Sequence, residues 1–142
     1  CSGPRKNEGG SWINQIIKNS YYEWYKEGYA KSIECFYDEK IIAGLYGLQI
    51  GACFFGESMF SEVSNSSKMC LLFLISILKK NKFNLLDSQF YNQHLLQFGA
   101  YEILDKEYQI KLKKNINKNC LFPSHLSYEE SVSILQLLIH KS

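Results

Sequence analysis

A carboxylate and an amide interrupt the apolar run at residues 85–90, which is Leu-Leu-Asp-Ser-Gln-Phe. Successive side chains of a strand point to opposite faces, so Asp87 and Gln89 would share one face of a strand there. Both groups are costly inside an apolar strand unless they are hydrogen-bonded. The pair is therefore either a strand end that hydrogen-bonds a neighbouring loop or a polar site that orients a reacting group.

Two other side chains could contact a ligand. Glu57 follows the apolar run at residues 52–56, at the point where the predicted strand meets a loop. A carboxylate at that point either accepts hydrogen bonds from loop backbone groups or contacts a ligand. Trp12 stands at the start of a predicted helix. An indole there either packs into the core or stacks on a nucleobase, which is worth about 1–3 kcal/mol.

The sequence lacks the motifs that several classes of chemistry require. The chain contains no nucleophile elbow, no phosphate-binding Walker loop and no His-Glu-x-x-His metal motif. The histidines lie far apart, without an acid and a nucleophile at motif spacing, and the cysteines form no Cys-x-x-Cys pair. We therefore predict neither a metal nor a cofactor. The residues concerned are His94, His125 and His140, and Cys1, Cys35, Cys53, Cys70 and Cys120.

The composition is typical of a one-domain globular protein. The chain has 142 residues, 46% of them hydrophobic, and its formal net charge of +2 is too small to indicate a polyanion ligand. An odd number of cysteines favours a reducing compartment, and the longest apolar run, residues 69–78, is about half of what spans a bilayer. We expect a cytoplasmic protein that does not enter the membrane. The start at Cys1 suggests a fragment of a longer chain.

The first part of the chain predicts a helix followed by an antiparallel meander. The helix is expected over residues 11–28, with Ser11 as its N-cap and Gly28 as its stop. The third strand after it is nearly all apolar and so is expected to be central. These strands are predicted at residues 31–37, 41–50 and 52–56.

The second part predicts helices around one further strand. Asn65 begins a helix with an apolar stripe, which consists of Leu71, Leu74, Ile75 and Leu78. The stripe belongs to the core, and its upper end could also line an apolar pocket. A buried strand at residues 83–90 would require a crossover and hence a parallel pair. The remaining elements are a helix at 93–98, a strand at 101–103, a helix at 105–115 and a helix that a capping box at 127–130 begins.

This order predicts an α/β domain with a mixed α+β sheet flanked by helices. It matches the acyltransferase architecture of the acetyl-CoA-dependent N-acetyltransferases, the GNAT fold. Those enzymes hold a pyrophosphate on a Gly-rich loop that opens a helix, whereas the corresponding residues 62–68 contain no glycine. We therefore expect a GNAT-like fold, with weak support for acetyl-CoA as the donor.

Seven short blocks, in order and with compatible spacing, resemble those of bacterial leucyl/phenylalanyl-tRNA–protein transferases. They are Ser-Trp-Ile-Asn at 11–14, Gly-Leu-Tyr-Gly at 44–47, Phe-Phe-Gly-Glu-Ser-Met-Phe-Ser at 54–61, Asn-Ser-Ser-Lys at 65–68, Leu-Leu-Asp-Ser-Gln-Phe at 85–90, His-Leu at 94–95 and Gln-Phe-Gly-Ala at 97–100. The most specific is the Gly-Glu-Ser-Met-Phe block combined with the downstream Asp-x-Gln. The resemblance covers about residues 11 to 112.

The resemblance implies roles for individual residues. Asp87 and Gln89 would be the catalytic pair, Glu57 would lie in the active site, and Trp12 would hold the terminal adenosine of tRNA. The apolar pocket for the transferred side chain would consist of Leu45, Phe54, Met59, Leu71, Leu74, Leu78 and Leu86. Leucine, phenylalanine and methionine would fit it, whereas a β-branched side chain would clash.

The resemblance also implies the partners. The donor would be a tRNA charged with Leu, Phe or Met, and the acceptor a protein with N-terminal Arg or Lys, which the new peptide bond marks for degradation. No cofactor is implied, and we expect a monomer. The tRNA phosphates would contact Lys68, Lys79, Lys80 and Lys82, although the last three are equally well explained as a solvated helix end.

Some features depart from the family pattern. Leu45 stands where the family often has Met, and Leu74 and Leu78 replace bulky aromatic residues, so the pocket would be roomier. The resemblance implies an N-terminal domain in the family, which we expect to be absent from this chain. We predict a catalytic unit over residues 1–115 and a linker with a C-terminal helix over residues 116–142. The alternatives are an acyltransferase of the same fold that uses another donor, and an inactive truncated remnant.

Overall fold

The computed structural model describes residues 14–89 and 93–139. In chain order, these residues form α1 (Gln15–Lys26), β1 (Ala30–Tyr37), β2 (Lys40–Ile50), β3 (Cys53–Ser61), α2 (Ser66–Lys80), β4 (Leu85–Asp87), α3 (Gln93–Leu96), α4 (Asp105–Asn115) and α5 (Tyr128–Ile139). None of the helices in these two ranges is long and apolar enough to cross a membrane.

The four strands form one mixed sheet in the order β1-β2-β3-β4. The first three pair antiparallel, and β4 pairs parallel with β3 after the crossover through α2. This confirms the predicted meander, the parallel pair and the central position of β3. The fold is therefore α+β with a mixed sheet and flanking helices.

The core lies where α2 covers the sheet. Leu71, Leu74 and Leu78 are buried, as the stripe predicts, and they pack with Leu45 of β2 and Phe54 of β3. Burial of such side chains stabilises a fold by roughly 1.5–3 kcal/mol each. The helix stripe and the inward face of the meander therefore form one continuous apolar layer.

The helix ends agree with the predictions in part. The backbone N–H groups of Ser127 and Glu130 donate to each other's side chains at 2.9 and 3.1 Å, which confirms the capping box of α5. In α1 the N-cap is Asn14, whose Oδ1 accepts from the N–H of Ile17 at 3.0 Å. The predicted N-cap, Ser11, lies outside the described residues.

Two predicted strands have wrong boundaries, and a third predicted strand is not formed. The strand predicted at 83–90 is limited to Leu85–Asp87, because Gln89 has a left-handed φ of 67° that ends the extended chain. The short strand predicted at 101–103 is not formed, since no described strand pairs with it. The third strand continues past residue 56, because β2 keeps pairing with it as far as Ser61.

The part of the chain beyond residue 115 contributes to the same core. Phe122 is buried and stacks on Phe54 with ring centroids 5.7 Å apart, and its ring also meets Phe83 edge to face. The α5 helix packs against α2. The division into a unit over 1–115 and a linker with a helix over 116–142 stays a prediction.

Candidate active site

A cleft of about 870 Å³ is lined by β2, β3, β4 and α2 and by the chain that leads into α4. Glu57, Asp87 and Gln89 all line it. Sequence reasoning singled out these three residues separately, from two segments thirty residues apart. The fold places them on the wall of a single cavity.

Asp87 is held from two sides at the end of β4. Its Oδ1 accepts the backbone N–H of Gln89 at 2.7 Å, and its Oδ2 accepts the hydroxyl of Tyr108 from α4, also at 2.7 Å. The predicted strand face shared by Asp87 and Gln89 is wrong, because the chain turns after Asp87. The carboxylate closes this turn and so fixes the backbone from which the Gln89 side chain extends.

Tyr108 is a site residue that sequence reasoning missed. It follows Asp87 by 21 positions, and no local pattern links the two. Burial, and then the hydrogen bond to Asp87, raises the pKa of Tyr108 to about 12. The hydroxyl therefore remains a neutral donor to Asp87 throughout the physiological pH range.

Glu57 lies inside β3, not at its end as predicted. The register between β2 and β3 shifts at this point: Tyr46 pairs with Ser58, and Gly47 pairs with Gly56. Glu57 is thus the extra residue of a β-bulge. Bulges bend the strand and redirect a side chain, and they are frequent beside active sites. The bulge is the reason that a carboxylate in a central strand is directed into the cleft.

Aromatic side chains surround Glu57. Tyr21, on α1, and Tyr46, on β2, are close enough to Glu57 for its charge to act on their hydroxyls. The Tyr21 ring meets those of Tyr46 and Trp24 edge to face, with centroids 4.9 and 5.1 Å away. Burial first, and then Glu57, raises the pKa of Tyr21 and also that of Tyr46. Sequence reasoning missed both tyrosines, although Tyr46 belongs to the Gly-Leu-Tyr-Gly block.

The cleft has an apolar floor and a more open rim. Most of the residues predicted for the pocket line it, with 41% of Met59 and 37% of Leu86 exposed. The members that line it are Leu45, Met59, Leu71, Leu74, Leu78 and Leu86. Phe54 is 0% exposed and lies in the core below, not among the lining residues. It supports the floor from beneath.

The predicted phosphate contacts are distributed unevenly. Lys79 lines the cleft, and so does Lys111 of α4, which sequence reasoning did not single out. Lys68, Lys80 and Lys82 are not among the lining residues. Trp12 lies outside the described residues.

The polar groups of the cleft suit the alignment of two substrates. Over residues 14–89 and 93–139, no cluster of three or more His, Cys, Asp or Glu side chains could hold a metal ion. The cleft combines an apolar floor with a carboxylate on each of two strands and an amide beside one of them. Such a site can bind an apolar side chain and orient a cationic group next to it.

Comparison with known proteins identifies the family of the chain. A family model described as leucyl/phenylalanyl-tRNA protein transferase matches residues 1–113. The leucyl/phenylalanyl-tRNA–protein transferase of Zymomonas mobilis subsp. mobilis is 45% identical over 117 residues, which are 82% of this chain and 44% of that protein. Its counterpart from Phenylobacterium zucineum is 45% identical over 114 residues, 80% of this chain and 51% of that protein. The counterpart from Thermodesulfovibrio yellowstonii is 40% identical over 121 residues, 85% of this chain and 50% of that protein.

The chain spans about half the length of the curated relatives it matches. The matched region contains Glu57, Asp87 and Gln89, the three polar residues of the cleft that the sequence analysis singled out. Identity of 40–45% over four fifths of the chain agrees with the resemblance of the sequence blocks. The chain belongs to the leucyl/phenylalanyl-tRNA protein transferase family.

Proposed function

We propose that the intact protein transfers Leu, Phe or Met from a charged tRNA to the N-terminal Arg or Lys of an acceptor protein. The observation that carries this proposal is the single cleft in which Glu57, Asp87 and Gln89 stand beside an apolar floor. The floor suits the donor side chain, and the carboxylates suit a cationic acceptor. The modified protein would be marked for degradation in the cytoplasm.

The reaction needs alignment more than chemical activation. The acceptor α-amine attacks the ester carbonyl at the 3′ end of the tRNA. A C–N bond forms, the ester C–O bond breaks, and the amine proton passes to the departing ribose oxygen through a ribose hydroxyl or a water molecule. An ester is converted into an amide, so no ATP is required. Holding amine and carbonyl together can lower such a barrier by about 7–11 kcal/mol.

Asp87 and Gln89 have distinct roles in this scheme. The Gln89 amide oxygen accepts a hydrogen bond from the attacking amine and orients it. An amide is a very poor base, so it does not retain the proton. Asp87 acts through the turn, because its Oδ1 holds the Gln89 backbone N–H. Tyr108 supports this arrangement by donating to the other carboxylate oxygen.

Glu57 provides charge complementarity for the acceptor. Its bulged position directs a carboxylate into the cleft, where the side chain of an N-terminal Arg or Lys brings a positive charge. The neighbouring hydroxyl of Tyr21 stays neutral, since burial and then Glu57 raise its pKa. An acceptor that begins with an uncharged residue would lack the side-chain contact.

The direct test is transfer of radiolabelled Leu or Phe from charged tRNA to a peptide that begins with Arg, with the intact protein. A parallel peptide that begins with Ala serves as the control, and we expect transfer to the Arg peptide alone. Tight binding of acetyl-CoA without transfer from tRNA would favour an acyltransferase with another donor. Binding of tRNA without any acyl transfer would indicate an inactive member of the family.

Replacement of Tyr108 by Phe tests its positioning role. It removes the hydroxyl that donates to Asp87, and hydrogen bonds to charged groups contribute about 1.5–3 kcal/mol. We expect kcat to fall about tenfold or more while KM for the peptide changes little, since Tyr108 acts through Asp87. Steady-state transfer kinetics measure both constants. Tyr25→Phe, at an exposed position of α1, is the control, and an unchanged kcat in Tyr108→Phe would exclude the role.

The lysines at the end of α2 are tested by the salt dependence of tRNA binding. Lys79, Lys80 and Lys82 are replaced together by Ala. Each lysine that contacts a phosphate should lower the slope of log affinity against log salt by about one unit. A charge-matched triple variant at the exposed residues Lys18, Lys26 and Lys40 is the control. An equal slope in the two variants would show that the lysines at the end of α2 are solvated and contact no phosphate.

A further inference from the structure

A second cleft of about 400 Å³ lies between α4, with the residues just after it, and Asn84 before β4. Lysine and asparagine side chains form most of its lining, which consists of Asn84, Glu107, Ile110, Lys111, Lys114, Asn115 and Lys118. None of the sequence motifs points to this surface. It is separate from the lysines at the end of α2, none of which is part of its lining.

The charge of this second cleft is positive. Lys111, Lys114 and Lys118 face a single carboxylate, that of Glu107, which lies 3.6 Å from Lys111. Lys118 donates a hydrogen bond to the Oδ1 of Asn115 at 2.8 Å, a contact that orients its ammonium group without neutralising it. Lys114 makes no ion pair with any residue in the parts of the chain that the structure describes. Two of the three cations thus have no acidic partner there.

The second cleft adjoins the candidate active site. Asn84 and Lys111 line both cavities. In the larger cleft the carboxylates lie at β3 and at the end of β4, whereas its cations, Lys79 and Lys111, come from α2 and α4. A basic surface therefore continues from the second cleft into the larger one through Lys111.

We propose that the second cleft binds phosphates of the tRNA strand that leads to the aminoacylated 3′ end. This inference rests on the proposed function. A polyanion must approach the active site along some surface, and the lysines of the second cleft, two on α4 and one just after it, form a basic one that reaches it. Lys111 and Lys114 lie about one turn apart on α4, and Lys118 lies three residues beyond its last residue, Asn115.

The test compares two double variants at lysines in α4 or just after it. Lys114→Ala with Lys118→Ala removes two cations of the second cleft. Lys106→Ala with Lys113→Ala removes the same charge from exposed positions that line neither cleft. Binding of a full-length tRNA to the intact protein is measured at several salt concentrations. We expect only the first variant to lower the salt slope, by about two units, and to weaken binding about tenfold or more at 0.1 M salt.

The outcomes separate this inference from the proposed function. Equal salt slopes of tRNA binding in the two double variants, with wild-type protein still transferring Leu or Phe, would overturn only the proposal that the second cleft binds phosphates. Absence of tRNA binding by the wild type would overturn both proposals. Because Lys118 also contacts buried Asn115, the single variant Lys114→Ala is measured as well. A salt slope lowered by about one unit in Lys114→Ala supports phosphate binding in the second cleft without any change near Asn115. An unchanged slope contradicts it.

Discussion

Replacement of Asp87 by Asn, or of Gln89 by Ala, is expected to lower the rate of transfer at least about a hundredfold, as loss of an aligning or charge-stabilising group does in other enzymes. Asp87→Asn removes the charge that accepts both the Gln89 backbone N–H and the Tyr108 hydroxyl. Gln89→Ala removes the amide that orients the amine. The measurement is transfer of labelled Leu from tRNA to a peptide that begins with Arg.

The matched controls are Asp105→Asn and Gln109→Ala. This carboxylate and this amide are exposed, hydrogen-bond each other at 3.4 Å and line neither cavity. The affinity for tRNA should be unchanged in all four variants, because neither Asp87 nor Gln89 is placed on the phosphate path. Turnover close to that of the wild type in both site variants would refute the catalytic assignment of Asp87 and Gln89. Loss of tRNA binding in these variants would show that the two residues act on binding.

Replacement of Gly51 by Ala is expected to cause the largest loss of stability, about 3 kcal/mol or more in the free energy of unfolding. Gly51 has a φ of 60°, and an added Cβ would overlap the Ile116 carbonyl and lie 2.7 Å from the carbonyl oxygen of Asn115. Both partners are backbone atoms and cannot rotate away. Thermal unfolding should show a melting temperature lower by about 10 °C.

Gly28→Ala is the control for this change. Gly28 also has a positive φ, of 83°, but nothing lies within 4 Å of the added Cβ. Only backbone strain remains there, worth about 1 kcal/mol. Equal losses of stability in the two variants would mean that the overlap of the added Cβ with the end of α4 does not destabilise Gly51→Ala. That contact also includes a hydrogen bond from the Ala52 N–H to the Asn115 carbonyl at 3.0 Å.

The order of elements could be predicted from the sequence because local signals agreed with the fold. The stripe of Leu71, Leu74 and Leu78 has helical spacing and is buried as expected. The apolar third strand is central, and the capping box at Ser127 begins α5 where predicted. Periodicity and capping depend on near neighbours in the chain, so a single sequence contains them.

Strand ends could not be predicted in the same way. The apolar pattern at residues 85–90 favours a longer strand, but Asp87 closes a turn and Gln89 takes a left-handed conformation. Glu57 was expected at a strand end and instead occupies a bulge, because the register of β2 against β3 shifts by one residue there. A strand ends or shifts according to its partner, and the partner is distant in the chain.

The residue types of the candidate site, Glu57, Asp87 and Gln89, were determined by the sequence alone, as was the apolar stripe beneath them. Only the tertiary structure decided which side chains support them. Tyr108 holds Asp87 from a helix 21 positions later, and Tyr21, on a helix 36 positions earlier, lies close to Glu57. Contacts of this kind depend on the packing of whole helices against the sheet, and that packing leaves no periodic trace in the sequence.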